Sequence, residues 1–337
     1  MRRSCVLITA IAIVVSSAVP AVGVAADVMP GSWTRMGQAK LRPWTMDFVD
    51  AKVGWAAGDG GALLKTTNAG KTWKAQKSGT KASIRSIDAV TTKVAYAVDQ
   101  AGGVLKTSNG GTTWRRTVLK GKPALAAVTF TSSTRGYVCG AGSGKEASDG
   151  FIWVTTDGGK SWRKRQTRRG VPYRDVCASG SKYVWALGRQ VDDNEVALVS
   201  YSKNGGVSWE TVDFGVTYAG TIMNWGTKTV AVMGTTGAIS RSVTGGRTWH
   251  RMPVPAQSVG WLMDGAYVSS TTIWAVGGNP LPPTRDARVY ATTGTTGAWQ
   301  GPLAQLTETY LVAMKVRDSR LAWAITSEGA CYRYVKP

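Results

Sequence analysis

The sequence predicts an all-β protein made of repeated units, on three observations. An octad of the form Ser/Thr-x-Asp/Asn-x-Gly-x-Thr/Ser-Trp recurs along the 337 residues, and short apolar segments with a central aromatic residue recur in phase with it. No stretch has the periodicity of a long amphipathic helix. Successive octad tryptophans lie 41, 48, 47, 40 and 50 residues apart, the last being Trp299. A period of this length is typical of propeller blades, each of which packs only on its neighbours.

The octad indicates a hairpin turn. Its Asn or Asp can bond nearby backbone amides, its Gly supplies a positive φ, and its Trp fills space between strands or blades. Five copies are in register, and the fifth has Thr244 at the acidic position. Their defining residues are Asn68, Gly70 and Trp73; Asn109, Gly111 and Trp114; Asp157, Gly159 and Trp162; Asn204, Gly206 and Trp209; and Gly246 and Trp249.

A second repeat gives the number of blades. Short strands of small and aromatic residues suit the tightly packed inner part of a blade. There are seven: residues 54–58, 95–98, 136–140, 184–188, 230–234, 273–277 and 322–325. Residues 331–334 resemble a third strand without a fourth, and residues 32–36, around Trp33, resemble a fourth strand without a blade. We therefore expect a seven-bladed β-propeller of four-stranded blades, closed by the N-terminal strand pairing in the last blade.

The run from Gly54 to Trp73 resembles the photosystem II stability/assembly factor family of Asp-box (BNR-type) propellers. The resemblance covers residues 32–337 and is densest in the first three blades. It implies an exported propeller that, in photosynthetic members, binds newly made reaction-centre subunits through an Arg-rich surface. Sialidases, xyloglucan-cleaving glycosidases and sortilin-type receptors share the octad, which therefore indicates architecture and not activity.

The N-terminus predicts export. Arg2 and Arg3 precede an apolar run over residues 5–15, and residues 24–26 form an A-x-A-like cleavage site. We expect a signal peptide over residues 1–26, then one propeller domain over residues 27–337 in a secreted or periplasmic, extracytoplasmic protein. The run is short for a membrane span, which needs about 20 residues, although an uncleaved anchor stays open.

Charge and cysteine content narrow the partners and cofactors. The net charge of +21 favours an anionic partner: a protein or membrane-protein complex, or else a glycan or cell-wall polymer. Export argues against nucleic acid, and we expect a monomer. With His250 as the single histidine and no Cys-x-x-Cys, no metal or cofactor is expected. Cys139, Cys177 and Cys331 are an odd set, compatible with one disulfide and a free thiol or with three buried thiols.

Two sets of residues are candidates for partner binding. The first is a basic cluster in blades 2 to 4: Arg115, Arg116, Arg163, Lys164, Arg165, Arg168, Arg169 and Arg174. It suits docking to carboxylates or phosphates, or else protects an edge strand by charge. The second set aligns the first-strand entries, with Arg85 and Arg174 immediately following two of them: Trp44, Ile84, Leu125, Tyr173, Tyr218, Met263 and Tyr310. These residues form a rim at the channel mouth or pack between blades.

Three long loops, at residues 141–150, 189–195 and 278–288, lie on the face opposite the octads in this prediction, where they suit recognition. A glycoside hydrolase is the alternative to a non-enzymatic scaffold, because that chemistry needs two converging carboxylates. Carboxylates outside the turns are few, namely Asp47, Asp88, Glu146, Asp175, Asp192, Asp193 and Asp286. Clustered acids in the channel would favour the enzyme, and a continuous basic face would favour the scaffold.

Overall fold

Short strands separated by Gly-rich turns fold here into seven antiparallel four-stranded sheets. The computed structural model describes residues 31–336, apart from 144–147, 192–195, 218, 235–237, 253–260, 280–285, 294–297 and 307–308. The first fourteen strands are β1 (Ser32–Gln38), β2 (Pro43–Phe48), β3 (Gly54–Gly58), β4 (Leu63–Thr66), β5 (Lys74–Ala75), β6 (Ile84–Ala89), β7 (Ala95–Asp99), β8 (Gly103–Thr107), β9 (Arg115–Val118), β10 (Ala124–Phe130), β11 (Gly136–Ala141), β12 (Gly150–Thr155), β13 (Arg163–Arg168) and β14 (Tyr173–Ser179).

The remaining strands are β15 (Tyr183–Arg189), β16 (Val196–Ser202), β17 (Glu210–Thr217), β18 (Ala219–Trp225), β19 (Thr229–Gly234), β20 (Ile239–Ser242), β21 (His250–Arg251), β22 (Trp261–Tyr267), β23 (Ile273–Asn279), β24 (Asp286–Thr293), β25 (Ala298–Leu306), β26 (Leu311–Asp318), β27 (Leu321–Thr326) and β28 (Ala330–Val335). A 3-10 turn, Asp59–Gly61, follows β3. The predicted all-β class is confirmed.

Blades 1 to 6 each take four consecutive strands, from β2–β5 to β22–β25, with the first strand innermost. Blade 7 has the order β1-β28-β27-β26, so the N-terminal strand is its outermost strand. Trp33 pairs with Tyr334 in this sheet, and their ring centroids are 5.6 Å apart. The predicted seven-bladed propeller and its closure are therefore confirmed. Pairing β1 with β28 covers an edge that would otherwise carry unpaired backbone groups.

The core consists of seven apolar clusters, each shared by two adjacent blades. The aromatic residue of each second strand lies at the centre of such an interface and is at most 1% exposed: Trp55, Tyr96, Tyr137, Trp185, Trp274 and Trp323. Blade 5 has the smaller Ala231 at this position. Burial of these rings explains the recurrence of small-plus-aromatic strands in the sequence.

The octads form the turns between third and fourth strands, as predicted. In the first, Thr72 N–H donates to Asn68 Oδ1 at 2.9 Å, and Gly70 N–H donates to the Thr66 hydroxyl at 3.0 Å. Ala69 and Gly70 have φ values of 63° and 90°. In the degenerate fifth octad, the Thr244 hydroxyl replaces the acid and accepts the Thr248 N–H at 2.9 Å. The turn thus depends on an oxygen acceptor at this position and not on a carboxylate.

The strand order gives the ring two distinct faces. We call the one with the octad turns the Asp-box face. The other carries the loops between second and third strands and the links between blades; we call it the mouth face. The three long predicted recognition loops belong to the mouth face, and each lies partly outside the described residues.

The cysteines Cys139, Cys177 and Cys331 are all unpaired thiols, and burial raises the pKa of each. No helix within the described part of the chain is long and apolar enough to span a bilayer. Over the same residues, His, Cys, Asp and Glu side chains form no group of three or more placed to hold a metal ion. The predicted signal peptide lies outside the described residues.

Candidate functional site

Each innermost strand has an irregularity near its entry on the mouth face. The pairing register shifts by one residue there, as between Pro43 and Thr45 or between Tyr173 and Asp175. The residues skipped by the pairing are Trp44, Arg85, Ala126, Arg174, Gly220, Met263 and Val312. A bulge bends its strand and re-aims a side chain. All seven residues line one funnel of about 560 Å³ at the mouth of the central channel.

In several blades the predicted rim residue is buried, and the residue after it is the bulged one on the funnel. The residue preceding the bulge packs between blades: Ile84 is 0% exposed, Leu125 1% and Tyr173 2%. Tyr173 lines the funnel but is almost fully buried, and its hydroxyl shares a 2.7 Å hydrogen bond with Ser200 Oγ. Tyr173 and Arg174 both line the funnel, and the bulge makes Arg174 the exposed residue of the two.

The other rim residues have different outcomes. Trp44 and Arg85 lie on the funnel, as does Met263. Tyr310 is half-buried and lines a neighbouring depression that it shares with Trp44. Tyr218 lies outside the described residues.

Trp44 and Arg85 form a fixed pair at the funnel. The Arg85 guanidinium carbon lies 3.9 Å from the centroid of the Trp44 ring, a cation–π arrangement between blades 1 and 2. The Trp44 indole N–H donates to Asp59 Oδ1 at 2.6 Å, and the Ser83 hydroxyl donates to the same oxygen at 2.9 Å. The bond from Trp44 lowers the pKa of Asp59, which keeps this carboxylate charged. Trp44 nevertheless remains 37% exposed.

Arg174 lies on the same funnel and is exposed. We refer to Trp44, Asp59, Arg85 and Arg174 as the mouth site. It combines an accessible aromatic surface with two guanidinium groups, which suits carboxylates and planar amides. The sequence pointed to these residue types, but the bulges bring them onto one surface.

Carboxylates on the channel wall join adjacent blades. Four inner strands donate a backbone N–H to a carboxylate of the preceding blade. Asp47 Oδ2 accepts the Ala89 N–H at 2.7 Å, Asp175 Oδ2 the Ile222 N–H at 2.9 Å, and Asp264 Oδ2 the Met314 N–H at 2.8 Å. Asp88 accepts the Phe130 N–H in the same way. These bonds satisfy donors that would otherwise be costly to bury.

Burial raises the pKa of Asp88 and Asp264 to about 7 and that of Asp175 to about 6. Lys315 Nζ lies 2.7 Å from Asp47 Oδ1. Burial alone would lower the pKa of Lys315, but the charges of Asp47 and Asp88 raise it above its ordinary value. Sequence reasoning missed Asp264 and Lys315. Both residues lie on the first strand of a blade, as Asp47 and Asp88 do, and this position is the sequence signal that could have identified them.

The predicted basic cluster divides into two surfaces. Arg163, Lys164, Arg165, Arg168 and Arg169 lie on or next to β13, the outermost strand of blade 3, and are exposed. We call them the outer-strand basic surface. Lys164 extends over the ring of Phe151, with Nζ 4.2 Å from the centroid. Arg168 and Arg169 line a depression of about 410 Å³ at the mouth-face end of the strand. Arg174 belongs to the funnel instead.

Arg116 is an inter-strand tie and not a docking residue. Its Nε lies 2.6 Å from Asp99 Oδ2, and its Nη2 lies 3.0 Å from Asp99 Oδ1. The Asp99 side chain is fully buried. A bidentate pair of this kind holds the guanidinium in place. Arg115, by contrast, is exposed.

Comparison with known proteins agrees with this architecture. Residues 32–124 match the model of a family described as photosynthesis system II assembly factor YCF48. No curated protein sequence matches the chain. A solved structure described as "YCF48 bound to D1 peptide" has a TM-score of 0.70 at 17% identity, over 92% of this chain and 96% of the other.

A YCF48 structure from Cyanidioschyzon merolae gives a TM-score of 0.69 at 16% identity, over 90% of this chain and 98% of the other. Residues 32–124 are thus similar to this assembly-factor family, and the chain as a whole shares the propeller fold of the YCF48 structures. This Asp-box propeller also has the fold of a GH74 xyloglucanase from Xanthomonas campestris. That match has a TM-score of 0.63 at 15% identity and covers 89% of this chain but 53% of the enzyme. At such identities the structural likeness concerns the fold.

Proposed function

We propose that this propeller is an exported, non-enzymatic scaffold that binds an acidic segment of a protein or membrane-complex partner across its mouth face. The observation that carries the proposal is the mouth site. There, an exposed Trp44 is held against Arg85 on one side of a funnel that also carries Arg174. Trp and Arg are the residue types that most often dominate binding energy at protein interfaces.

The geometry favours a protein segment over a small ligand. The funnel is open and is lined by residues from all seven blades, so an extended chain can lie across it and contact several strands. Trp44 and Arg85 are held in place before binding by Asp59 and by each other. Such preorganisation reduces the entropy lost when a partner binds. Arg168 and Arg169 at the mouth-face end of β13 extend the positive surface outward.

Two further facts support a protein partner. The similarity of residues 32–124 to the assembly-factor family is one. The other is that a structurally similar propeller has been solved with a D1 peptide bound. The net charge of +21 favours an acidic segment, because attraction of opposite charge accelerates encounter and selects the partner.

The rival function is glycoside hydrolysis, and the GH74 likeness keeps it testable. Carboxylates do gather on the channel wall, and burial raises the pKa of three of them. However, Asp47, Asp88, Asp175 and Asp264 each accept a backbone N–H from the next blade, so each already has a structural role. We therefore expect no release of reducing sugar from xyloglucan and none of sialic acid from sialosides. Turnover that is lost in Asp88→Asn or Asp264→Asn would establish the enzyme.

The docking experiment is crosslinking in the native envelope, followed by capture and mass spectrometry. Trp44→Ala and Arg174→Glu should each weaken capture of the crosslinked partner by about tenfold or more. Lys71→Glu is the matched control, because Lys71 is exposed on the Asp-box face and its replacement makes the same charge change as Arg174→Glu. All variants should retain the melting temperature of the parent protein.

The pair Arg168→Glu and Arg169→Glu separates the two basic surfaces. Under the proposal, this pair weakens capture less than Arg174→Glu does, because it lies at the periphery of the funnel. If the double variant of Arg168 and Arg169 loses the partner while Trp44→Ala and Arg174→Glu still capture it fully, docking would be assigned to the outer-strand basic surface. Capture that falls equally in Lys71→Glu would mean attraction by net charge alone.

A further inference from the structure

A second, smaller cavity lies far from the channel, between the outer part of blade 2 and the Asp box of blade 3. Its volume is about 220 Å³. Three cations contribute to its walls, namely Lys106, Arg115 and Lys160. Hydroxyl residues supply much of the remainder: Tyr96, Ser108, Thr113 and Thr117. None of its described lining residues is acidic.

The pairing of β8 with β9 explains how the cations meet. Lys106 lies opposite Arg115, and Val104 lies opposite Thr117, so all four side chains share one face of blade 2. That face meets the next Asp box, where Lys106 Nζ donates to the Gly158 carbonyl at 2.6 Å. Lys160 follows in the same turn. One hydrogen bond leaves two of the three ammonium protons of Lys106 for another acceptor.

The cations repel one another in the absence of a counter-charge. Partial burial lowers the pKa of Lys106, and the positive charges of Lys160 and Arg115 lower it further. The nearest carboxylate, Asp157, opposes this effect, but its oxygens are bonded to Ser161 and Thr155 within the turn. A bound anion would relieve the repulsion.

The equivalent place between blades 1 and 2 is built differently, and it provides an internal comparison. Lys65 and Lys74 are paired there as Lys106 and Arg115 are, and Lys65 bonds the Gly110 carbonyl at 2.7 Å. Gln76 then occupies the space in front of this pair, and its Oε1 accepts the Trp114 indole N–H at 3.1 Å.

In blade 2, Thr117 occupies the position that Gln76 has in blade 1. Thr117 pairs with Val104, and the Gln76 N–H bonds the carbonyl of Leu63, the residue that corresponds to Val104. The shorter side chain leaves the space open. Among the described residues, the buried Trp162 indole Nε1 has no hydrogen-bond partner, whereas its counterpart in Trp114 has Gln76. Trp162 Nε1 faces Gly159, which lines the cavity. The site therefore lacks an acceptor where its neighbour has one.

We propose that this cavity is a binding site for a phosphate group. A tetrahedral oxyanion there accepts from Lys106, Arg115 and Lys160 and from the nearby hydroxyls, next to the Trp162 indole. Charge-assisted bonds to several donors suit a phosphate better than a single carboxylate, which has fewer oxygens to share. The inference does not rest on the mouth site, which lies on the opposite face of the ring.

The test is a titration of the full mature protein with inorganic phosphate. Binding is measured by calorimetry and by the shift of the indole N–H resonance of Trp162 in NMR spectra. Thr117→Gln is the most informative variant, because it places the amide of blade 1 in blade 2 without altering net charge. It should abolish binding and the shift of the Trp162 resonance. Lys160→Ala should weaken binding by about tenfold, the usual effect of losing one charged hydrogen bond.

Lys74→Ala is the matched control, since Lys74 holds the place of Arg115 in the filled site of blade 1. Equal weakening in Lys74→Ala and Lys160→Ala, or unchanged binding in Thr117→Gln, would overturn the proposal in favour of non-specific attraction to a basic protein. Vesicles containing phosphatidylglycerol, compared with glycerol phosphate, identify the source of the group. Binding to vesicles that is lost in Thr117→Gln indicates a lipid headgroup. Binding to the soluble compounds alone that is lost in Thr117→Gln indicates a free phosphate.

Discussion

Replacement of Asp264 by Asn should make the stability of the ring less dependent on pH. Burial raises the pKa of Asp264 from 3.8 to about 7, and the neighbouring charge of Asp175 raises it further while Lys315 opposes. A carboxyl whose pKa is higher in the folded state binds its proton more tightly there. Its contribution to stability is therefore fully present below about pH 4 and is lost as the pH rises through about 7.

The size of the effect follows from the shift. A difference of about 3 pKa units corresponds to about 4 kcal/mol at 1.36 kcal/mol per unit. Asp264 is only partly buried and borders the channel, so we discount this by half for screening by water, to about 2 kcal/mol. Asn keeps one oxygen for the Met314 N–H but loses the acceptor of the Gly265 N–H, at a cost of about 1 kcal/mol.

Asp264→Asn should therefore be less stable than the parent by about 1 kcal/mol near pH 4 and more stable by about 1 kcal/mol near pH 8. Thermal unfolding followed by tryptophan fluorescence measures the difference, and we expect its sign to reverse with a total swing of about 5 °C. Asp318→Asn is the control, because Asp318 is exposed at the end of β26. A constant separation between Asp264→Asn and parent at every pH would refute the assignment.

Three other outcomes are expected. Arg116→Ala should lower the free energy of unfolding by about 3 kcal/mol, because it removes the cation paired with the buried Asp99. Arg115→Ala is the control and should change this free energy by less than about 0.5 kcal/mol, both measured by urea denaturation. Deletion of residues 32–38 exposes the edge of β28, so the purified protein should associate in size-exclusion chromatography instead of eluting as one monomeric species. If the predicted export signal is cleaved, intact mass spectrometry of secreted material should place the mature N-terminus at Asp27; material that retains the signal would indicate an anchor.

The architecture could be predicted because it depends on local chemistry. The octad needs a positive φ, a hydroxyl and a side-chain oxygen within eight residues, so a turn such as that of Asn68 and Gly70 is visible in the sequence. The short second strands, six of which carry a buried aromatic residue, also recur once per blade. Seven copies gave seven blades, and a strand left over at Trp33 gave the closure.

The candidate site could be predicted only in part. Which residue of an entry segment is exposed at the channel depends on a bulge that shifts the register by one. Arg174 is therefore exposed on the funnel, whereas Tyr173, which also lines it, is almost fully buried. Similarly, Arg116 could not be separated from Arg115 before the pairing of β8 with β9 placed it beside Asp99. One residue of register reverses the direction of a side chain, and composition does not encode register.

The sequence by itself determined the fold class and the number of blades, because these follow from contacts within about 50 residues and from their repetition. It also determined the way the ring closes, because one unpaired strand is left over at each end of the repeats. Only the tertiary structure decided which charged side chains bond another blade and which remain available at the surface. Four carboxylates accept a backbone N–H of the next blade, namely those of Asp47, Asp88, Asp175 and Asp264. Two candidate binding sites combine residues of adjacent blades: Trp44 with Arg85, and Lys106 with Lys160. Such pairs join residues about 40 or more positions apart, and their partners are fixed only when neighbouring blades pack.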